Sequence, residues 1–231
     1  PDLRRTDVWH GFAAAGAGGE GGKRHLPRFP LALAEERRRM SKVMIVVGHP
    51  QKDTFCEAIG RAYEEGAAST GHEAKTFLLA TMAFDPILHE GYQREQPLEP
   101  DLSEAYRCLA ACDHLVLIFP LWCGDMPALL KGFIERILQP GLIARQKTEH
   151  AMNWSIFRNK TARIVITMSM PVSIYRFWYG AHTLKLLIHN VLHFIGIKPV
   201  RHTLFGMVTT CKQQKRERWL KDIRELGRKA A

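Results

Sequence analysis

Residues 43–57, VMIVVGHPQKDTFCE, have the pattern of a buried strand, a short loop and the start of a capped helix. Val43–Val47 is a continuous apolar run, which is typical of a parallel strand buried on both faces of a sheet. Thr54 and Glu57 have the T-x-x-E spacing of a capping box, so a helix is predicted to begin near Phe55 and to run to about Ser69.

The alternation of strand and helix continues to the end of the chain. Further strands are predicted at 73–79, 115–119, 163–168 and 203–208, and further helices at 127–138, 181–195 and 213–229, with another that begins at Asp101. Asp101 is expected to cap the second helix, through a three-residue spacing to Glu104. Five strands alternating with helices predict an α/β fold: a flavodoxin-like, five-stranded parallel sheet in the order 2-1-3-4-5 with helices on both faces.

The composition is that of a globular protein. Hydrophobic residues make up 46% of the 231 residues and charged residues 24%, which excludes a wholly disordered chain. The longest apolar run, 115–122, is far shorter than the ~18–20 residues of a membrane span, so no membrane insertion is expected. The five cysteines form no C-x-x-C pair, which indicates reduced thiols and a cytoplasmic protein.

The net charge of +10 is concentrated at the two ends of the chain. Residues 1–39 carry 8 basic and 5 acidic side chains, residues 212–231 carry 8 and 3, and the centre has an excess of only two positive charges. A basic terminal helix is commonly a solvated face, so no nucleic-acid partner is expected.

Residues 1–39 differ in composition from the rest of the chain. They contain a Gly/Ala-rich run at 13–22 and little periodic hydrophobicity, whereas a strand pattern begins just after Met40. The sequence therefore predicts a disordered or non-native extension over 1–39 and one flavodoxin-like α/β domain over 40–231; a transit peptide is the alternative for the extension.

Ligands of such sheets bind at the carboxyl ends of the strands, where three loops carry candidate residues. The first loop leads to the helix at Phe55, whose N-terminus can bind an anion, although a plain βα turn has the same pattern. The second, 120–127, places Trp122 and a glycine just past a strand, where they suit the edge of a flat ring or simply cover the core. The third, 167–171, precedes a segment dense in aromatic residues, 175–179.

Four motifs resemble the flavodoxin-like NAD(P)H dehydrogenase (quinone) family. The second loop carries the most specific one, Phe119-Pro120-Leu121-Trp122 followed by Pro127-Ala128-Leu129-Leu130-Lys131-Gly132 and Phe133-Ile134-Glu135-Arg136. The other three are Gly48-His49-Pro50 with Thr54-Phe55, Phe84-Asp85-Pro86-Ile87, and Leu192-His193-Phe194-Ile195-Gly196. The resemblance covers residues 41–209.

The resemblance implies a flavin, FMN or FAD, that passes hydride from NAD(P)H to a quinone-like acceptor. It implies that the phosphate end of the flavin meets His49, Thr54, Phe55 and Cys56, and that the isoalloxazine ring is bordered by Pro120, Leu121, Trp122, Cys123, Thr167, Met168, Ser169 and Met170. By the same resemblance, Tyr175 and His182 form the catalytic pair near flavin N1, and the protein is a homodimer.

The third loop departs from the family pattern. Where the family often has Thr-Thr-Gly-Gly, this chain has Thr167-Met168-Ser169-Met170, and Tyr175 and His182 are seven residues apart, one more than the mammalian-type enzymes lead us to expect. These departures indicate a subgroup with a diverged substrate pocket. A flavodoxin-type electron carrier and a redox-sensing subunit of a membrane transporter are the alternative functions.

A pair of histidines, His189 and His193, has the four-residue spacing of a zinc-binding helix. Asn190 stands where the general base of that motif would be, and no third ligand accompanies the pair. Packing on a half-buried helix is the expectation, and no metal site is predicted.

Overall fold

The computed structural model describes residues 40–145 and 157–230, so the expected extension at 1–39 lies outside the described residues. The elements are, in chain order, β1 (Lys42–Val47), α1 (Phe55–Ala68), β2 (Glu73–Leu78), α2 (Pro100–Ala111), β3 (His114–Pro120), α3 (Ala128–Ile137), α4 (Pro140–Arg145), β4 (Thr161–Thr167), α5 (His182–Leu186), β5 (Val200–Phe205) and α6 (Gln213–Arg228).

The five strands form one parallel sheet in the order β2-β1-β3-β4-β5, which confirms the predicted fold. Every residue of β3 is buried, because this strand lies at the centre of the sheet with helices over both faces. Alternate residues of β1 point to opposite layers: Met44 and Val46 face α2 and α3, whereas Ile45 and Val47 face α1.

The basic helix α6 packs closely on α1. A side chain at Gly66 would collide with the carbonyl oxygen of Arg224, and one at Gly227 with the carbonyl oxygen of Tyr63. The two helices therefore meet backbone to backbone, and Ile223 is buried between α6 and the sheet. Helix α6 is thus part of the fold, and its charged side chains are exposed except for that of Arg216, which is half-buried.

The first helix begins at Phe55 as predicted, but the second hydrogen bond of its capping box has a different donor. Thr54 Oγ1 accepts a hydrogen bond from the Glu57 backbone N–H at 3.3 Å. The Glu57 carboxylate accepts from the N–H of Asp53, at 2.7 Å, rather than from that of Thr54. The loop residue Asp53 has a positive φ of 58°, which turns its N–H toward the helix.

The start of α2 differs from the prediction. Pro100 occupies the first turn and Glu99 is the capping residue, while the Asp101 carboxylate accepts from the backbone N–H of Ala83 at 2.7 Å. Asp101 therefore ties the segment after β2 to α2. Spacing alone could not reveal this role, because the partner lies 18 residues away.

Two elements in the last third were placed wrongly by the sequence patterns. The fifth strand occupies Val200–Phe205 instead of 203–208, because Val208 is held outside the sheet, where its N–H donates to the carbonyl of Met168. The helix predicted at 181–195 is the short α5 followed by wider π-helical turns over Leu187–Leu192. A π turn inserts an extra residue without changing the apolar content, so periodicity did not signal it.

The segment between β2 and α2 is fastened by one buried side chain. Arg136, fully buried in α3, donates to the carbonyls of Asp85 and Pro97 and to the carboxylate of Glu99, at 2.9 Å. The arginine that ends the strongest family motif therefore acts as a clamp on this segment.

Within the described ranges, no helix is both long enough and apolar enough to cross a bilayer.

Candidate flavin site

The three candidate loops meet at the carboxyl edge of the sheet. The Gly48 N–H donates to the carbonyl of Ile118, at 2.7 Å, and the Leu121 N–H donates to that of Thr167, at 2.8 Å. The chain approaches α3 so closely at Gly48 that a Cβ there would lie 2.7 Å from the Leu130 side chain. The strand order 1-3-4 thus brings loops that are distant in sequence into one site.

The first loop presents the N-terminus of α1. The first N–H groups of a helix have no partner within it, and the helix dipole makes this end positive, so an anion is favoured here. Thr54 and Phe55 are half-buried at this end, while the Cys56 side chain is buried and its Sγ lies 3.4 Å from Thr167 Oγ1. Burial raises the pKa of the Cys56 thiol to about 11, so the group that this residue offers a ligand is its backbone N–H.

The second loop is a tight turn that holds an exposed indole. Trp122 and Asp125 exchange both of their backbone hydrogen bonds, each at 2.8 Å, and the two residues between them, Cys123 and Gly124, have φ of +50° and +80°. Two central residues with positive φ are the pattern of a type I′ turn. Pro120 is buried, Leu121 is half-buried, and Trp122 remains 43% exposed.

The rings of His49 and Trp122 join the first loop to the second. Their centroids are 5.2 Å apart and their planes are nearly perpendicular. His49 Nδ1 accepts from the Gln51 N–H, and burial lowers the pKa of His49. A neutral imidazole therefore supports the edge of the exposed indole.

The third loop is held by backbone hydrogen bonds to the segment 205–208. The Met168 N–H donates to Phe205, and the carbonyls of Met168 and Met170 accept from Val208 and Met207. The side chains of Thr167 and Met168 are buried, Met170 is half-buried and Ser169 is exposed. Ser169 is thus the residue of this loop whose side chain is most open to a ligand.

Tyr175 and His182 occupy different environments. Tyr175 is only 1% exposed, and its hydroxyl accepts a hydrogen bond from the Leu184 N–H at 3.2 Å; burial raises its pKa. His182 is exposed at the start of α5, directly after Gly180 and Ala181, which both have positive φ. A Cβ at Gly180 would lie 2.9 Å from His182 Nε2, so the imidazole is folded back over this glycine.

Thr183 is a site residue that no sequence pattern indicated. Its hydroxyl donates to the carbonyl of Gly124, at 2.6 Å. The helix that begins at His182 is therefore fastened to the turn that carries Trp122. The contact spans 59 residues, which explains why the sequence alone did not reveal it.

Arg216 is a second residue that the sequence did not single out. Its guanidinium lies over the Phe55 ring, with 5.8 Å from Cζ to the ring centroid, and one terminal nitrogen donates to the carbonyl of Val208. Its Nε is buried without a hydrogen-bond partner among the described residues. A cation with an unsatisfied donor beside the N-terminus of α1 fits the phosphate end of a flavin.

The histidine pair noted in the sequence packs ring against ring. The centroids of His189 and His193 are 5.3 Å apart, and the planes are nearly perpendicular. In the described part of the chain, no group of three or more His, Cys, Asp or Glu side chains is placed to hold a metal ion.

Comparison with known proteins agrees with this fold. A family model described as the flavodoxin-like fold matches residues 41–226. The chain belongs to this family. Its relatives are named as oxidoreductases, which confirms the resemblance to the NAD(P)H dehydrogenase (quinone) enzymes.

Three proteins illustrate how similar this flavodoxin-like protein is to its relatives. An uncharacterized NAD(P)H oxidoreductase of Haemophilus influenzae is 29% identical over 168 residues, which cover 71% of this chain and 82% of the relative. NAD(P)H dehydrogenase [quinone] 1 of Cavia porcellus is 26% identical, over 69% of this chain and 66% of the relative. The solved structure of an NAD(P)H:quinone oxidoreductase from Methanothermobacter marburgensis superposes with a TM-score of 0.67 at 25% identity, covering 82% and 95% of the two chains.

Proposed function

We propose that this protein is a flavin-dependent NAD(P)H oxidoreductase that reduces quinones or similar acceptors by ping-pong hydride transfer. The observation that carries the proposal is the convergence of the three loops, with the N-terminus of α1 and the Arg216 guanidinium at one end and the exposed Trp122 at the other. The names of the relatives support the same chemistry.

The chemistry of the residues at the carboxyl edge of the sheet fits a flavin, with donors at one end and apolar and aromatic side chains at the other. Thr54, the first N–H groups of α1 and Arg216 would hold the phosphate end, and the Trp122 turn and the third loop would border the ring. The bound flavin supplies the hydride-accepting and hydride-donating centre. The protein contributes position and electrostatics.

Charge that develops on the N1–C2=O side of the ring needs a hydrogen-bond donor. His182 fits this role, because its imidazole is exposed and carries an N–H that can donate to the ring. The Tyr175 hydroxyl accepts from the backbone N–H of Leu184, the neighbour of Thr183, so we assign Tyr175 to the positioning of α5 against the Trp122 turn. The predicted catalytic pair thus becomes one donor and one positioning residue.

We further propose a homodimer. The described residues include an apolar surface formed by Ile174, Phe177, Trp178 and Tyr179, which we call the aromatic surface. Phe177 is 88% exposed and Trp178 is 82% exposed. Contiguous aromatic exposure of this kind marks protein interfaces, and this surface directly precedes His182 in the chain.

We place the protein in the cytoplasm, in contact with small-molecule acceptors and without a nucleic-acid partner. All five cysteines are free thiols in the structure, as expected in a reducing compartment. No observation favours the electron-carrier or transporter-subunit alternatives.

The decisive experiment is steady-state oxidation of NADH and NADPH with 1,4-benzoquinone, combined with release of the flavin and measurement of its mass. A flavoprotein that turns over with either nucleotide supports the proposal, and the released mass distinguishes FMN from FAD. Protein that binds flavin without oxidising either nucleotide would instead support an electron carrier.

A further inference from the structure

We propose that a groove between α3 and the segment 186–195 binds the apolar side chain of the quinone substrate. The inference rests on the proposed quinone reduction and adds a preference for acceptors that carry an alkyl or isoprenoid chain. We call this feature the tail groove.

The tail groove is a cavity of about 180 Å³. Met126, Ile134 and Leu138 line one wall, and Val191, Phe194 and Ile195 line the other. Phe194 is half-exposed at the opening, whereas Ile134 and Ile195 are buried at the base. Apolar side chains thus provide both walls and the floor.

The groove continues into the core of the domain. A smaller, wholly apolar cavity of about 20 Å³ shares Ile134, Leu138, Val191 and Ile195 with it. An apolar cavity of about 150 Å³ is large enough to bind benzene, so the combined space accommodates a chain of roughly five to eight carbons. The free energy gained would come from removal of this chain from water.

Charged groups lie at the mouth of the groove and balance each other. Lys131 and Glu135, one turn apart on α3, form an ion pair, and Asn190 and Tyr92 complete the rim. A charged ligand would have no unpaired counter-charge among these lining residues. An uncharged chain with a polar head outside the groove matches this distribution.

Met126 connects the groove to the Trp122 turn, and this position favours the side chain of a quinone over other apolar ligands. This residue lines the groove and directly follows the turn that carries Trp122; its N–H donates to the Asp125 carboxylate at 2.7 Å. The groove therefore begins beside the loop that we assign to the isoalloxazine ring. A quinone whose head reacts at the flavin can extend its side chain into the groove. A lipid that binds without reacting would not need a groove next to the flavin loop.

The proposal is tested with 1,4-benzoquinones that carry n-alkyl chains of zero to ten carbons. We expect kcat/KM to rise about three- to fourfold for each added methylene, as expected for its burial, and to level off near six to eight carbons. Equal kcat/KM values across the series would overturn the proposal.

Two neighbouring tryptophan variants separate the groove from the rest of the surface. Asn190→Trp places a large side chain at the exposed mouth and should remove the chain-length dependence, with the unsubstituted quinone reduced at the wild-type rate. His189→Trp is the matched control, since His189 is equally exposed on the same segment but does not line the groove. Equal losses for long and short quinones in Asn190→Trp would show that the groove does not select the chain.

A binding measurement without turnover keeps the two proposals distinguishable. Saturation-transfer NMR with 1-octanol, in the absence of NAD(P)H, should detect binding to the wild type and to His189→Trp but not to Asn190→Trp. Octanol binding with this pattern supports the groove even if no quinone is reduced, which would count against the proposed function alone. Binding that Asn190→Trp leaves unchanged, or no binding to the wild type, would refute the groove.

Discussion

The imidazole of His49 and the indole of Trp122 meet edge to face at 5.2 Å, although 73 positions separate them in the chain. The contact couples the loop that precedes α1 to the turn that follows β3. One loop is assigned to the phosphate end of the flavin and the other to its ring, so this pair joins the two ends of the proposed site.

Replacement of Trp122 by alanine should weaken flavin binding and leave the fold intact. An aromatic pair contributes about 0.5–1.5 kcal/mol beyond its buried area, so we expect the dissociation constant of the flavin to rise at least three- to tenfold. Fluorescence titration of apoprotein with FMN and FAD measures this. Ile87→Ala, at another exposed apolar position, is the control; the same flavin affinity in both variants would remove Trp122 from the site.

His182→Ala should retain its flavin and reduce it slowly. A single preorganised donor commonly contributes 10²–10³ in rate, and we expect a smaller factor here because the imidazole is exposed. Stopped-flow bleaching of the oxidised flavin by NADPH measures the step directly. Lys185→Ala, on the next exposed turn of α5, is the matched control, and equal reduction rates in both variants would assign His182 to the surface.

Tyr175→Phe and Thr183→Val should have the same phenotype if these residues position α5. Each removes a buried hydrogen bond, which lowers the free energy of unfolding by about 1 kcal/mol, and each loosens the Trp122 turn. We expect both variants to slow flavin reduction. The double variant should be no slower than the sum of the two changes in activation free energy predicts. A large rate loss in Tyr175→Phe with an unchanged melting temperature, and none in Thr183→Val, would instead mean that Tyr175 acts on the flavin itself.

Stability should fall on acidification because of His114. Burial, with help from Arg163 and Arg201, lowers the pKa of this histidine to about 3, and the ring Nδ1 is paired with Thr161 Oγ1 at 2.6 Å. The unfolded chain, with a normal histidine pKa, binds a proton that the native state does not. The free energy of unfolding should therefore drop by about 1.4 kcal/mol per pH unit between roughly pH 6.5 and 3 from this group.

Urea unfolding of wild type and His114→Gln between pH 7 and pH 4 isolates that contribution. The variant should be less stable at pH 7 and should show a flatter dependence on pH. Parallel pH profiles for the two proteins would show that other groups cause the acid sensitivity.

Trp178→Glu should convert the proposed dimer into a monomer. A carboxylate in the middle of an apolar interface would have to lose its water, which is strongly unfavourable without a partner. Sedimentation velocity at micromolar concentration measures the change, with Tyr92→Glu as a control at another exposed aromatic position. A wild-type protein that sediments as a flavin-bound monomer would contradict the dimer.

The strand order and the first flavin loop were predictable from sequence because their signals are local. The apolar run Val43–Val47, the cap at Thr54 and the Pro120–Trp122 motif each lie within a few consecutive residues. Local propensity and periodicity act over this distance, so the fold class and the loops of the candidate site followed from them.

The remaining features depend on contacts between distant residues. Three of them join segments that only the folded sheet brings together. They are the burial of Tyr175, the hydrogen bond from Thr183 to Gly124 and the contact of Arg216 with Phe55. The π-helical turns at 187–192 likewise leave the apolar pattern unchanged while they alter which residues share a face. Sequence by itself therefore determined the sheet and the edge at which the candidate site lies, whereas tertiary packing decided which of the third-loop side chains are exposed there.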